Sequence, residues 1–365
     1  MFTTRLTMCM LIEYYRQSKH ISSWISWIVG IFTFFIFTII LHQYFPITAD
    51  FPIFYHTAEG WREGTTILYD GSSPNFYNLP WTLFLFIPYT YLPLKIAQTI
   101  FIIMSLACIF ATIHIVRQHT NFPLYTVILA LLNLHIVDFL IRGQLDAIVL
   151  FGVGLGLYAI IAQSGWVLSF ALLMMSIKPQ NIILLTLLFF YGIRHWHLSK
   201  LIQVVSLPVL AIILSGFLVG FDWPLRWIQQ YQTRPPLNFV KITIWRITEY
   251  WHIPSWIPII LAIIALITFA KLVYETGFNY NSFILAIATN IVFSTYAMGY
   301  HYILLIPVIM YVAYKNWKLG LVINLTGWFP FSRVIWHMEV VWLDFAYPVL
   351  SLLAAWYYVN RSPHP

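Results

Sequence analysis

Charged residues are sparse along this chain, and the apolar runs between them have the length of a bilayer crossing, not the narrow stripe of a soluble amphipathic helix. With roughly 17 to 25 apolar residues per crossing, spans are predicted at about 24–43, 95–116, 123–141, 144–162, 200–221, 254–272, 280–298, 301–314, 319–334 and 340–359, about ten in all. Two apolar pieces do not fit this scheme. Residues 80–93 are short and carry Pro80, Pro88 and Pro93, and residues 166–192 are interrupted midway by Lys178-Pro179-Gln180. At ~1.5 Å per residue, each half of the second piece covers under ~20 Å and cannot cross a ~30 Å hydrocarbon core. Both are expected to be re-entrant or broken helices, which are tolerated where they face protein or a water-filled cavity. The expected class is an all-α polytopic membrane protein, with residues 1–365 as one integral membrane domain.

Composition removes the soluble alternatives. Of the 365 residues 61% are hydrophobic and only 8% charged, against about 25% charged in globular proteins, which excludes soluble enzymes and DNA-binding domains. The aromatic share of 19% suits interfacial belts and lipid-facing helices. A formal charge of +7 would suggest nucleic acid in a soluble protein, but here the bases are expected to mark the cytoplasmic face. Only Cys9 and Cys108 are present, so there is no disulfide framework and no cysteine-based metal or haem motif. No small-residue cleavage site follows the first apolar stretch, which is expected to remain as an anchor.

Orientation follows from where Lys and Arg fall once the spans alternate. With the N-terminus inside, the cytoplasmic segments hold Arg5, Arg16, Lys19, Arg117, Arg194, Lys200, Lys271, Lys315, Lys318 and Arg361 against only Glu13 and Glu275. The opposite face carries ten acids, among them Asp50, Glu59, Glu63, Asp138 and Asp146, and seven bases. Both termini are therefore expected in the cytoplasm.

Two outer loops, 44–79 and 222–253, are expected to form the working face. In the first, the stretch from Pro52 to Glu63 can lie in the interface with Phe54 and Trp61 in lipid and His56, Glu59, Arg62 and Glu63 toward water. Asp50 precedes it, at the depth where a carboxylate meets both the aqueous loop and a membrane-borne substrate. It can equally be a helix N-cap. The second loop interleaves Arg226, Arg234, Lys241 and Arg246 with Trp223, Trp227, Tyr231, Trp245 and Trp251. Aromatic faces stack on sugars and arginines pair with phosphate, so it reads as a lid over a site or as a plain interfacial loop.

An Asp beginning a juxtamembrane helix one span from the N-terminus, a Gly-x-x-x-Leu-Tyr-like element (Gly64 to Tyr69) and an aromatic turn (Tyr77 to Pro80) resemble the GT-C membrane glycosyltransferases. Within these the chain most resembles the bacterial polyprenyl-phosphate-mannose-dependent mannosyltransferase-like family. R-G-Q-L-D (Arg142 to Asp146) is similar to that family's Gly-Gln element, S-I-K-P-Q (Ser176 to Gln180) to its Lys element, and Y-H-Y (Tyr300 to Tyr302) to its late His. The likeness covers most of the chain; the departure is Asn78-Leu79-Pro80, where a Tyr-Pro-Pro run would be expected.

The resemblance implies a GT-C-like fold with outer juxtamembrane helices in a bacterial plasma membrane. The implied reaction is inverting transfer of one hexose, mannose favoured, from a polyprenyl-phosphate sugar to a glycolipid or glycan hydroxyl, outside the cytoplasm and without metal or cofactor. Such chemistry needs a base for the hydroxyl proton, stabilisation of the leaving phosphate and a groove for the lipid. Asp50 is the candidate base. Lys178, a lone ammonium in an apolar run, either meets the phosphate or pairs structurally with Asp146 or Asp138. Arg142 and Gln144 are candidate donors to phosphate or sugar, or interface anchors. Tyr300 and His301 are candidate phosphate or sugar contacts, or members of an aromatic belt. His56, Tyr77, Asn78, Arg234 and Arg246 are candidates for the acceptor side or lid.

Other patterns carry no chemistry. His195 and His197 are two residues apart and do not share a helix face. Gly152, Gly154 and Gly156 lie within a span with no strand before them, and are read as helix packing through small residues. The rival class is a transporter or flippase of lipid-linked saccharides, whose usual mark is a matched pair of interrupted segments in two halves; the Lys178 break has no such counterpart in the sequence.

Overall fold

The computed structural model describes residues 36–70, 76–234, 242–329 and 341–361. These are helical, with no strand among them. Two compact units divide the chain, residues 1–47 and residues 48–365. Of the first, the described part is helical over 36–44, within the predicted span 24–43 whose earlier residues lie outside the described set. Lys241, a lid candidate, also lies outside it.

The second unit begins with the juxtamembrane helix α1 (Phe51–Arg62), then α2 (Pro80–Phe86) and α3 (Leu94–Thr120). A broken pair follows, α4 (Leu124–Leu131) and α5 (Leu134–Arg142), then α6 (Asp146–Ile161), α7 (Gly165–Met175), α8 (Ile183–Gly192) and α9 (Leu198–Val219). The second outer loop holds α10 (Trp223–Thr233) and α11 (Ile244–Tyr250). The chain closes with α12 (Trp256–Thr276), α13 (Tyr280–Phe293), α14 (Ile306–Lys315), α15 (Trp317–Thr326), α16 (Val341–Asp344) and α17 (Ala346–Arg361).

Among the described residues three helices, α3, α9 and α12, are long and apolar enough to cross a membrane, or four if the bent pair α4 and α5 is one span. Ile212 and Phe217 on α9 and Ile264 and Ile267 on α12 are exposed, as lipid-facing positions are. The other expected spans are shorter: α6 has 16 residues and α13 has 14, while 301–314 is a 3-10 turn, Gly299–Leu305, running into α14. The predicted single span 123–141 is instead bent by 57° between α4 and α5, a difference with a local cause. Pro123 starts the pair, and Asn133 leaves the helix in an extended conformation to cap α5 through its side chain. The break at Lys178-Pro179-Gln180 falls where expected, between α7 and α8.

Each break frees backbone groups that an apolar setting cannot hydrate, and each is closed by a buried asparagine from a distant helix. Asn324 donates to the Leu129 and Leu132 carbonyls, both at 2.6 Å, and accepts from Asn133 at 2.9 Å. Asn290 accepts from the Leu184 N–H at 2.8 Å and donates to the Gln180 carbonyl at 3.0 Å. Replacing it by leucine strands the Leu184 N–H, at about 1 to 3 kcal/mol, and leaves the Gln180 carbonyl only the 3.4 Å contact from Ser294 Oγ. Asn290→Leu is therefore expected to lower the thermal midpoint in detergent clearly; an unchanged midpoint would mean that these bonds contribute nothing.

The glycines of α6 do pack helices. A Cβ on Gly154 would stand 3.0 Å from Thr112 of α3, one on Gly152 2.9 Å from the Ala171 carbonyl of α7, and one on Gly156 2.2 Å from the Phe189 ring of α8. Small residues thus let α6 sit among α3, α7 and α8, and its first turn carries Asp146.

Candidate functional site

The site is built where the chain entering α1 meets the turn between α5 and α6. α5 ends on Gly143, whose φ of +68° is open to glycine at little cost. A Cβ there would lie 2.4 Å from Thr48 Oγ1 and 2.9 Å from Phe51 Cβ, so the close approach of residues 48–51 also requires glycine. The approach is fixed from both sides. The Asp50 N–H donates to the Arg142 carbonyl at 2.8 Å, and the Thr48 N–H donates to Gln98 Oε1 at 2.9 Å. Phe51, fully buried, packs its ring 5.0 Å from Phe101 and 5.9 Å from Phe86.

Asp50 occupies the N-cap position of α1, yet its side chain makes no capping hydrogen bond. Half-buried, it turns its carboxylate toward the α5–α6 turn, where Oδ2 accepts from Gln144 Nε2. Among the described residues Oδ1 accepts no hydrogen bond. Capping, one of the two readings open from the sequence, is therefore not what this side chain does.

Behind Gln144 lies a buried ionic cluster. Lys178 Nζ donates to Gln144 Oε1 and to Asp146 Oδ2, each at 2.7 Å. The two charged side chains are 7% and 0% exposed, so the ammonium is held by partners, as a buried charge must be. The extended residue after α7 brings it there: Lys178 leaves the helix at φ −136° and ψ 70°, and Pro179 opens the next turn. His301 completes the cluster from the turn before α14. Its Nδ1 lies 2.9 Å from the Met298 nitrogen and 3.3 Å from the Met298 carbonyl oxygen, and its Nε2 lies 3.5 Å from Lys178 Nζ and 3.8 Å from Asp146 Oδ1. Tyr300 caps the group, its ring centroid 4.8 Å from Lys178 Nζ and 5.7 Å from Arg142 Cζ.

Six residues singled out in the sequence are thus brought together: Asp50, Arg142, Gln144, Lys178, Tyr300 and His301. Lys178 takes the ion-paired role with Asp146, the alternative open beside phosphate binding. His301 is fully buried and is no surface aromatic. Arg142 differs from both. Its Nε donates to Asp138 Oδ1 at 2.8 Å and its side chain is 43% exposed, while its Nη groups donate to nothing among the described residues.

The acceptor and lid candidates lie outside this network. His56 is exposed and contacts Glu59 at 3.1 Å. Arg246 pairs with Glu249 at 2.8 Å. Tyr77 instead clasps α10: its hydroxyl donates to the Arg234 carbonyl at 2.7 Å, and its own carbonyl accepts from Trp227 Nε1 at 2.8 Å. The Asn78 carbonyl accepts from the Tyr69 hydroxyl at 2.5 Å. α10 therefore holds the end of the first outer loop. Burial pushes the Tyr77 hydroxyl above its ordinary range and that of Tyr231 to about 12, so both remain donors at neutral pH.

Asp146 is the residue that sequence reasoning undervalued. It was named there as an outer-face acid, as the end of a motif and as one of two partners for Lys178, although an acid at the head of an apolar helix is itself a signal of a buried partner. Among the described residues no group of three His, Cys, Asp or Glu side chains is placed to hold a metal ion. Comparisons with protein families, curated proteins and solved structures return no match for this chain.

Proposed function

We propose that this protein is a polytopic membrane glycosyltransferase. It moves one hexose, mannose favoured by the family resemblance, from a polyprenyl-phosphate sugar to a hydroxyl of a glycolipid or glycan. Asp50 is the base. The acceptor oxygen attacks the anomeric carbon as its proton passes to Asp50 Oδ1, and the bond from that carbon to the phosphate oxygen breaks with inversion. The phosphate leaves with the bonding electrons as polyprenyl phosphate, so one bond forms, one breaks and the proton is accounted for. The observation that carries this reading is the carboxylate of Asp50: released from helix capping, held at Oδ2 by Gln144 and left with Oδ1 open.

Within the candidate set we give the phosphate-binding role to Arg142 in place of Lys178. Two of the Lys178 donors are used by Gln144 and Asp146 and the cluster is buried. Arg142 is half-exposed, adjoins Asp50 through its carbonyl and has both Nη groups available, so it is the better group for the departing phosphate. Sugar transfer from a polyprenyl-phosphate hexose in proteoliposomes tests the reading directly; retention of all label on the donor with every common acceptor lipid would defeat it.

About ten crossings, cytoplasmic termini and a site on the outer face of a bacterial plasma membrane go with this proposal, supported by the Lys and Arg asymmetry. In a background lacking Cys9 and Cys108, cysteines at the exposed positions Glu63 and Gln232 should react with an impermeant thiol reagent from outside, and those at His195 and Lys318 should not. The reverse labelling pattern would put the site in the cytoplasm.

A further inference from the structure

The orientation of Gln144 is dictated by its neighbours. An ammonium can only donate, so Lys178 Nζ at 2.7 Å must face the amide oxygen. The amide nitrogen is then forced to the other end, against Asp50 Oδ2. Asp146 Oδ2 fixes the ammonium from its far side at 2.7 Å, and His301 Nε2 lies 3.5 Å from the same ammonium. Every member of the chain Asp146, Lys178, Gln144, Asp50 thus has its donor and acceptor direction set by the one before it. The far end of the chain is fully buried, and the near end is the half-exposed carboxylate.

We propose that Gln144 is a positioning residue that holds the Asp50 carboxylate through Oδ2, with its amide locked by the Lys178–Asp146 pair, so that Oδ1 alone is presented to the acceptor hydroxyl. This rests on Asp50 being the base, and it takes Gln144 out of the group that touches donor phosphate or sugar. A general base must lie within hydrogen-bond reach of its proton in one fixed geometry, and a carboxylate at the start of a helix with no capping bond would otherwise rotate freely. The amide is suited to the task because it accepts from a cation at one end and donates to an anion at the other. Neither a carboxylate nor an ammonium does both.

Gln144→Glu tests this with almost no change in shape. One glutamate oxygen still accepts from Lys178; the other opposes Asp50 Oδ2 where an N–H had been. Two carboxyl oxygens this close hold a proton between them, as like charges at short range require, and Asp50 is then not a free acceptor until the pH is raised. The remaining charged and titratable groups around Asp50, namely Arg142, Asp146, Tyr296 and Tyr300, with Lys178 and His301 behind Gln144, are the same in both proteins.

The expected result is an acid limb of the transfer rate displaced upward by roughly one to two pH units, recovery at high pH, and an unchanged KM for the polyprenyl-phosphate sugar. A raised donor KM with the limb in place would make Gln144 a donor contact and overturn the proposal; so would a limb and rate equal to wild type. If the glutamate variant does not fold, Gln144→Met removes the bond at similar volume. Its kcat should then fall about tenfold or more, the lower end of a lost positioning effect, at constant donor KM, and a KM effect would again overturn the proposal. pH-difference infrared spectra of the purified protein give a readout without transfer. The carboxyl band that Asp50→Asn removes should titrate at higher pH in Gln144→Glu. If it does while wild type transfers no sugar, the positioning stands and the glycosyltransferase reading falls; if the band titrates unmoved, the positioning falls.

Discussion

Asp50→Asn is expected to leave the protein folded while sugar transfer drops by ~10² or more, the usual scale for losing a general base. Little in the fold should notice the change. Asparagine keeps the N–H that donates to the Arg142 carbonyl, and its side-chain oxygen can still accept from Gln144 Nε2. No capping bond is lost, because Asp50 makes none. What disappears is the proton acceptor at Oδ1. Donor binding should persist, since Arg142 is untouched. The measurement is a melting curve and a transfer rate on the one variant. A stable, inactive protein is the expected pair; a stable protein with near-wild-type transfer would remove Asp50 as the base, and is what a transporter of lipid-linked saccharides would give.

The sequence made the apolar helices and the break at Lys178 legible for simple reasons. Bilayer-length runs are visible in composition alone, and a lone lysine beside a proline in such a run can be explained only by a partner and an interrupted helix. The bend at residues 132–133 was not legible. Asn133, His135 and Asp138 interrupt the apolar pattern there without marking a bend, and the group that stabilises it, Asn324, is 191 residues away. The same holds for Asn290, whose service to the second break depends on a packing contact that no local spacing encodes.

Within the site the sequence offered Gln144, Lys178, Tyr300 and His301 as separate donors to a substrate. They were found mostly satisfying one another. Motif reading assigns each residue its own ligand, whereas a dry interior requires each buried polar group to find a partner first. Lys178 illustrates the point, because both of its sequence readings were physically sound and the structure shows its ammonium on Asp146 and Gln144. Arg142 differs for the complementary reason: its side chain is 43% exposed and its only ion-pair partner among the described residues is Asp138.

That distribution of charge sets the expectation for Lys178. Lys178→Met removes a cation from a carboxylate that is 0% exposed, and an uncompensated buried charge of this kind costs about 3 to 5 kcal/mol. The single variant should therefore be poorly folded and inactive, and its inactivity alone carries no information about catalysis. Lys178→Met with Asp146→Leu removes both charges and restores an apolar interior, a replacement that is often neutral for stability. The double variant is expected to melt near wild type. Its transfer rate should stay at least about tenfold down, because the Gln144 oxygen has lost its anchor and the amide no longer presents a fixed N–H to Asp50. Thermal midpoints of the single and double variants, read beside their transfer rates, separate the two roles of the ion pair. Recovery of stability without recovery of transfer is the outcome that a relay from Asp146 to Asp50 requires, whereas full activity in the double variant would make the pair a structural feature of the fold and nothing more.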